Sequence, residues 1–194
     1  MDSNKIIIIN NFKESIKTKE AVINNIVDDI RIAADVIVQA LKRNNKLLIC
    51  GNGGSAADSQ HFSAELVGRF KKERKGLPAI ALTVDTSILT AWSNDYSFDT
   101  VFARQIESVG LENDVLFAIS TSGNSGNLVE ALKKAKEMNI ITVSLLGKGG
   151  GIMKDISDYS IVIPSNDGMR VQESHITVIH SLCEIIENEL FKKI

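Results

Sequence analysis

Short runs of apolar residues alternate along the chain with longer stretches in which apolar residues recur at helical spacing. The short runs occupy residues 47–50, 79–83, 115–119, 141–145 and 160–163. Helical spacing follows the first run and returns at residues 88–92, 98–109, 127–138 and 170–191. Apolar strands that alternate with helices indicate a parallel sheet covered on both faces. The pattern therefore predicts the α/β class.

A helical segment precedes the first predicted strand. Neither Gly nor Pro interrupts its apolar pattern between residues 10 and 45, so one long helix or two abutting helices fit. We expect a small α/β domain to have no place for this segment in its core, and predict that it packs on a partner subunit. The predicted domains are an oligomerisation arm over residues 1–45 and an α/β domain over 46–194, together forming one structural unit.

Composition narrows the class of protein. The chain is 44% hydrophobic and 24% charged with a net charge of −2, which gives nucleic acid little electrostatic attraction. We interpret the charged run at residues 71–75 as a solvated loop. Two cysteines make no disulfide framework, and the apolar run at residues 6–9 is too short for a signal peptide. No segment approaches transmembrane length. We expect a cytoplasmic protein that binds neither nucleic acid nor a membrane.

The first candidate site lies within residues 46–70, where the strand is followed by the loop GNGGS (Gly51 to Ser55) and a helical pattern. A glycine turn into a helix N-terminus presents backbone amides and a positive dipole end to an anion, without Lys or Arg. The Ser55 hydroxyl either caps this helix or binds a phosphate oxygen.

A second loop, STSGNS (Ser120 to Ser125), follows another buried strand and resembles the first. Its hydroxyls and amides suit a phosphate dianion. The alternative is an ordinary strand-to-helix turn with Ser125 as the helix cap. Neither loop has a dinucleotide or nucleoside-triphosphate signature. A sugar phosphate is the smaller ligand that fits.

Two helices contain candidate metal ligands. His61 and Glu65 are four residues apart and share one helix face, although such residues are commonly a core histidine and a solvated glutamate. On the last helix, Gln172 and His180 are about 80° apart around the axis, whereas His175 is interpreted as a structural or exposed histidine. The four side chains would suit zinc or another borderline metal only if the helices meet.

Asn94 and Asp95 lie in a segment predicted to be a loop between two helices. Such residues usually serve turn formation. Their position beyond a strand end also allows them to bind substrate hydroxyls.

Five segments of the chain resemble the SIS (sugar isomerase) family, and more closely the bacterial phosphoheptose isomerases. They are GNGGSAADSQHFSAEL, SNDYSF, AISTSGNSGN, GKGGG and RVQESHITVIHSLCEIIE. The resemblance implies a flavodoxin-like three-layer α/β sandwich with a five-stranded parallel sheet, assembled as a homotetramer with active sites at subunit interfaces. It also implies interconversion of sedoheptulose 7-phosphate and D-glycero-D-manno-heptose 7-phosphate through an enediol. That reaction begins heptose synthesis for lipopolysaccharide or capsule.

The resemblance further implies a role for each matching position. Glu65 and His180 match the acid–base pair. Zinc ligands are matched by His61, Glu65, Gln172 and His180. Substrate contacts are matched by Asn52, Gly53, Gly54, Ser55, Glu65, Asn94, Asp95, Ser120, Thr121, Ser122, Ser125 and Gln172. Met169 and Ser93 depart from the pattern, since the family often has Asp or Thr at the first position and Gly at the second.

Two other functions are open to a protein of this type. A non-catalytic SIS-fold tetramer that binds the replication initiator DnaA has the same fold but lacks the catalytic Glu and the last-helix His. This chain has both, as Glu65 and His180, which favours the enzyme because function is judged from the site. The third function is a sugar-phosphate sensor, which the lack of an evident helix-turn-helix segment disfavours.

Overall fold

A five-stranded parallel sheet with helices on both faces forms the centre of the computed structural model, which describes residues 2–192. The strands are β1 (Leu47–Gly51), β2 (Ala79–Ala81), β3 (Val115–Ser120), β4 (Ile141–Leu146) and β5 (Tyr159–Val162). The helices are α1 (Ser3–Asn25), α2 (Val27–Lys42), α3 (Gly54–Val67), α4 (Thr86–Asp95), α5 (Val101–Val109), α6 (Gly126–Glu137), α7 (Gly151–Ile156) and α8 (Gly168–Leu190). The predicted α/β class and three-layer sandwich are confirmed. The ends of the two predicted domains, at residues 1 and 193–194, lie outside the described residues.

Both faces of the sheet are buried, as the unbroken apolar strands predict. In β1, Leu47 and Ile49 face a core formed with α2, α3 and α8. Leu48 and Cys50 face the opposite core, formed with α5 and α6. Burying each large apolar side chain stabilises the fold by about 1.5–3 kcal/mol. The strands therefore hold two helical layers in fixed positions relative to each other.

The N-terminal segment is two abutting helices, which meet at Ile26. The expectation that it has no place in the core is wrong for α2. Its stripe of Ile30, Ala33, Ile37 and Leu41 is buried, because the small alanine allows close packing beneath the sheet. By contrast, Thr18 is the one buried residue between Ser3 and Asn25 in α1. Although α1 and α8 each have 23 residues, no helix within residues 2–192 has the apolar length that a membrane crossing requires.

The strand order β2-β1-β3-β4-β5 reverses direction between β1 and β3. The loops that follow these two strands lead to helices on opposite faces, which opens a crevice at the carboxyl edge of the sheet. Gly51 pairs with Ile119, so that Asn52 and Ser120 follow at neighbouring positions. The topology therefore brings the two predicted anion loops side by side.

Three local predictions differ from the structure. Helix α4 continues to Asp95, because Asp85 caps its start and the helical bonds continue past Trp92. The loop predicted at residues 93–97 is therefore wrong for Asn94 and Asp95. The short helix α7, which follows the glycine-rich turn at residues 147–151, was not predicted. In the charged run at residues 71–75, interpreted as solvated, the Arg74 side chain is only 1% exposed.

His175 on α8 generates a prediction about stability and pH. Burial lowers the pKa of His175 to about 4, although the nearby backbone of Leu146 opposes the shift. Because a free imidazole titrates near 6.5, the unfolded chain takes up the proton first as the pH falls. The free energy of unfolding should therefore fall by about 3 kcal/mol between roughly pH 6.5 and pH 4 on account of this residue.

Urea unfolding of the wild-type chain and of His175→Gln, at several pH values in this range, measures this contribution. Other titrating groups are common to both proteins, so the difference between their pH slopes isolates the imidazole. Parallel slopes would contradict the assignment.

Candidate active site

Three predicted metal ligands meet where α3 lies beside α8. The Nε2 atoms of His61 and His180 are 3.0 Å apart. The Oε1 atom of Glu65 lies 3.3 Å from the same Nε2 of His61. One ligand atom from each residue falls within 4.8 Å of those of the other two. The helices contributed by two distant parts of the sequence therefore do meet, which the sequence alone did not show.

Helices α3 and α8 run side by side in the same direction. Gly54, at the start of α3, lies so close to the Gln172 amide that a Cβ atom there would collide with it. Seven residues further along α3, His61 faces His180, which is eight residues beyond Gln172. Since each residue rises about 1.5 Å, the histidine pair lies roughly 11 Å along the helices from the Gly54–Gln172 contact. The place of Gln172 as a fourth ligand stays a prediction.

The three side chains fit a borderline divalent metal such as zinc. Ligands bound about 2.0–2.1 Å from a tetrahedral zinc lie roughly 3.3 Å from one another. The 3.0 Å and 3.3 Å separations around His61 Nε2 are close to that spacing. Two imidazole nitrogens and a carboxylate oxygen are also donors that zinc accepts. Cys183, one turn beyond His180, is no competing thiolate, because burial chiefly raises its pKa to about 12.

A cavity of about 370 Å³ opens at the carboxyl edge of the sheet, where α3 and α8 begin, and none of His61, Glu65 and His180 belongs to its described wall. Its wall comprises Asn52, Gly54, Ser55, Thr121, Asp167, Gly168, Met169 and Gln172. This described wall contains neither Lys nor Arg, so an anion there would be bound by neutral donors. Five of the predicted substrate residues are thus brought together in one cavity.

The two loops are joined by a reciprocal pair of amide hydrogen bonds. Asn52 Nδ2 donates to Asn127 Oδ1, and Asn127 Nδ2 donates to Asn52 Oδ1, both at 2.8 Å. Asn127 is buried at the start of α6, directly after the serine-rich loop. The pair fixes the glycine loop relative to the serine loop, so Asn52 holds the site together as well as lining it.

Backbone amides at two helix starts are free of side-chain caps. No side chain caps the start of α3, which follows Gly53 in the left-handed region at φ 56°, nor the start of α6. Ser125 does occupy the N-cap position of α6, as the alternative predicted, but its hydroxyl makes no capping hydrogen bond. Two other hydroxyls shape the loop, since Ser120 Oγ accepts from the Gly123 amide and Ser122 Oγ from the Asn124 amide. The uncapped helix start and the Ser125 hydroxyl remain available to an anion.

Comparison with known proteins supplies the family. A family model described as SIS domain matches residues 11–147. A phosphoheptose isomerase of Campylobacter jejuni is 59% identical over 80% of this chain and 83% of its own length. One from Aliarcobacter butzleri is 50% identical over 96% of this chain and 98% of its own. The structure of phosphoheptose isomerase GmhA from Neisseria gonorrhoeae superposes with a TM-score of 0.92 at 41% identity, covering 96% and 100% of the two chains.

The chain belongs to the phosphoheptose isomerase family of SIS-domain proteins. It is therefore an enzyme of the aldose–ketose isomerase class, and the resemblance found in its five sequence segments is confirmed. The strand order explains why the loops after β1 and β3 meet at this cavity, whose wall is completed by Asp167 and the start of α8.

Two residues matched to family substrate contacts lie apart from this cavity. Asn94 and Asp95 are exposed at the end of α4, where Asn94 Nδ2 donates to Asp95 Oδ1 at 2.8 Å. Neither belongs to the described cavity wall. Their substrate-binding role stays a prediction that requires a surface beyond this single chain.

Sequence reasoning missed other residues of the site. Asp167 caps α8 through the Met169 amide at 2.9 Å and lines the cavity with Gly168. An Asp directly before a helical pattern is a recognised cap signal, so Asp167 could have been found. The role of Asn127 had no local signal, because its partner is 75 residues away.

The Asn52–Asn127 pair generates a prediction about the coupling of the loops. Asn127→Ala removes both hydrogen bonds and should lower the free energy of unfolding by about 1–3 kcal/mol, as expected for buried polar partners. Asn25→Ala is a control, because Asn25 is exposed and its amide bonds only within its own helix. Denaturant unfolding compares the variants, and equal losses would mean that the loops are not joined through this pair.

Proposed function

We propose that this enzyme interconverts sedoheptulose 7-phosphate and D-glycero-D-manno-heptose 7-phosphate. The observation that supports it is the convergence of Glu65 with His61 and His180 on the two helices, α3 and α8, whose first turns line a cavity with neutral anion donors. The phosphoheptose isomerase names of its relatives supply the class of sugar. The product would enter heptose synthesis for lipopolysaccharide or capsule in the cytoplasm.

Isomerisation moves a proton between adjacent carbon atoms, so the site needs a base, an acid and a means to stabilise an enediol. Glu65 is the base in this proposal, because its carboxylate lies beside the two imidazoles and is 23% exposed at the side chain. His180 is the acid, which protonates the second carbon or its oxygen. Its ring is held by stacking on Phe70, with the ring centroids 5.7 Å apart. Positioned acid–base groups of this kind typically contribute about 10²–10⁴-fold to the rate.

His61, Glu65 and His180 would hold zinc, with Gln172 as the proposed fourth ligand. When bound, zinc would stabilise negative charge on the enediol oxygen. Glu65 and His180 are then shared between metal binding and proton transfer.

The phosphate group would lie at the two loops, on the uncapped start of α6 and the hydroxyls of Ser55, Thr121 and Ser125. Neutral donors would leave the phosphate dianionic. The distance from these donors to Glu65 would set the length of the sugar that the site accepts. Met169 in the cavity wall presents a thioether where relatives often have a polar residue, so fewer side-chain hydrogen bonds reach the sugar there.

The non-catalytic DnaA-binding function is the weaker candidate. Such a protein needs no converging carboxylate and imidazoles, whereas this chain retains all three within ligand distance of one another. A partner-binding role would therefore not explain why these three side chains converge between α3 and α8.

Substitution of the proposed acid and base tests this function. Glu65→Gln and His180→Gln should each lower kcat for sedoheptulose 7-phosphate by roughly 10²–10⁴-fold, while inorganic phosphate binds as before. Aldose formation is followed with and without a chelator, and turnover should fall when the metal is removed. Near-wild-type turnover in either variant would remove the assignment.

We also propose that the enzyme is a homotetramer whose active sites lie at subunit interfaces, with α1 packing on a partner. Helix α1 exposes a stripe of Ile8, Phe12, Ile16 and Ile23 that its own chain does not cover. Apolar patches of this kind commonly mark protein interfaces. A groove of about 530 Å³ between α1, α2 and α8 continues this apolar surface.

The stripe generates a prediction about assembly. Phe12→Asp combined with Ile16→Asp should shift the protein to smaller species, because charges would be buried at the contact. Lys13→Asp is the control, since Lys13 is exposed between them. Light scattering coupled to size-exclusion chromatography measures the mass, and an unchanged tetramer in the double variant would exclude α1 from the interface.

A further inference from the structure

A buried ion pair outside the site joins the end of α3 to α8. Arg74 Nε lies 2.9 Å from Glu187 Oε1, and each side chain is 1% exposed. The sequence places Arg74 in a run of charged residues, of which Lys71, Glu73 and Lys75 are exposed. An ion pair so fully removed from water is expensive to desolvate and therefore calls for an explanation.

The remaining N–H groups of Arg74 donate to backbone carbonyls in the segment that contains the proposed base. Nη2 donates to the Glu65 carbonyl at 2.7 Å, and Nη1 donates to the Leu66 carbonyl at 2.7 Å. Nη1 also lies 3.2 Å from the Gly68 carbonyl. These are carbonyls of the last turn of α3, which lack helical partners. One guanidinium thus fixes the backbone position of Glu65 itself.

Glu187 fixes the chain on the other side of the cluster. Its Oε1 accepts from the Phe70 amide at 2.9 Å, and its Oε2 accepts from the Lys71 and Lys72 amides at 2.9 and 3.1 Å. Burial alone would raise the pKa of Glu187, but these amides and Arg74 hold it below its ordinary value. The Phe70 ring, fixed by its amide, stacks on His180. The pair therefore reaches both the proposed base and the proposed acid through one contact each.

We propose that Arg74 and Glu187 are positioning residues, which set the distance and orientation of Glu65 relative to His180. The inference rests on the proposed function for its catalytic consequence, but not for its structural one. Helix α3 ends at Val67. The Leu77 amide also donates to the Leu66 carbonyl at 3.0 Å, but the Glu65 carbonyl and the Phe70 amide are bonded by the pair. Apolar contacts are non-directional, whereas the guanidinium fork and its carboxylate fix angles as well as distances.

A purely stabilising role explains the pair poorly. Well-packed apolar residues can replace a buried ion pair without loss of stability. Stability also would not require that Arg74 and Glu187 bond the two short segments that position Glu65 and His180. Arg74 Nη1 additionally lies 3.1 Å from the Lys75 carbonyl. Outer residues that orient metal ligands typically change metal affinity or activity by about 10–100-fold when they are replaced.

The test compares Arg74→Met with Lys192→Met. Lys192 makes an ion pair with Glu189 near the end of the same helix, but its side chain is 66% exposed. Arg74→Met should weaken zinc binding, measured by chelator competition, and lower kcat by roughly 10–100-fold each. KM should change by less than about threefold, because the phosphate loops lie elsewhere on the sheet. Lys192→Met should leave zinc affinity, kcat and KM unchanged.

A second measurement needs neither metal nor substrate. The chain has only 3 histidines, so ¹⁵N-histidine labelling gives few imidazole signals. In metal-free protein, Arg74→Met should shift the His180 ring signals and leave those of His175 in place, whereas Lys192→Met should shift neither. If the wild-type protein did not convert the heptose phosphate, the proposed function would be wrong. The histidine signals would still show whether Arg74 positions His180.

Folding is checked by circular dichroism before either measurement. If Arg74→Met does not fold, Arg74→Lys preserves the charge but loses the fork, and the same shifts and losses are expected of it in smaller degree. A folded Arg74 variant with wild-type zinc affinity, kcat and His180 signals would overturn the proposal.

Discussion

The contact between α3 and α8 is the interaction on which the site depends. Each helix by itself contributes only an ordinary pair of candidate ligands, His61 with Glu65 on α3 and Gln172 with His180 on α8. Gly54 allows close approach at one end, and the facing histidines meet farther along. Because the helices run in the same direction, one contact fixes the register of the next. The sheet makes this possible by burying both helices in the same core.

The protein groups of the candidate site come from two types of structure, loops at strand ends and helices. The proposed anion cradle consists of backbone amides and hydroxyls at the strand ends, where positions are set by the sheet and by the Asn52–Asn127 pair. The proposed acid–base cluster consists of side chains on helices, whose positions depend on packing.

The two faces of the molecule also have different roles. On one face α5 and α6 pack with the sheet in a core that has no part in the α3–α8 cluster. On the other face α2 lies beside α8 and completes the core that orients the cluster. Helix α1 leaves that core and exposes its apolar stripe. Within the N-terminal segment, α2 is therefore part of the core, whereas α1 exposes apolar side chains.

The sequence by itself determined the strands, both loops, the α/β class and the helix faces of His61 with Glu65 and of Gln172 with His180. These depend on local periodicity and on turn chemistry, which neighbouring residues decide. Only the tertiary structure decided that α3 and α8 meet, that α2 is a core helix, and that Asn127 and Arg74 find buried partners. Such contacts join residues about 75 to 120 positions apart. Periodicity cannot determine them, because it shows which face of a helix is apolar but not which helix will cover it.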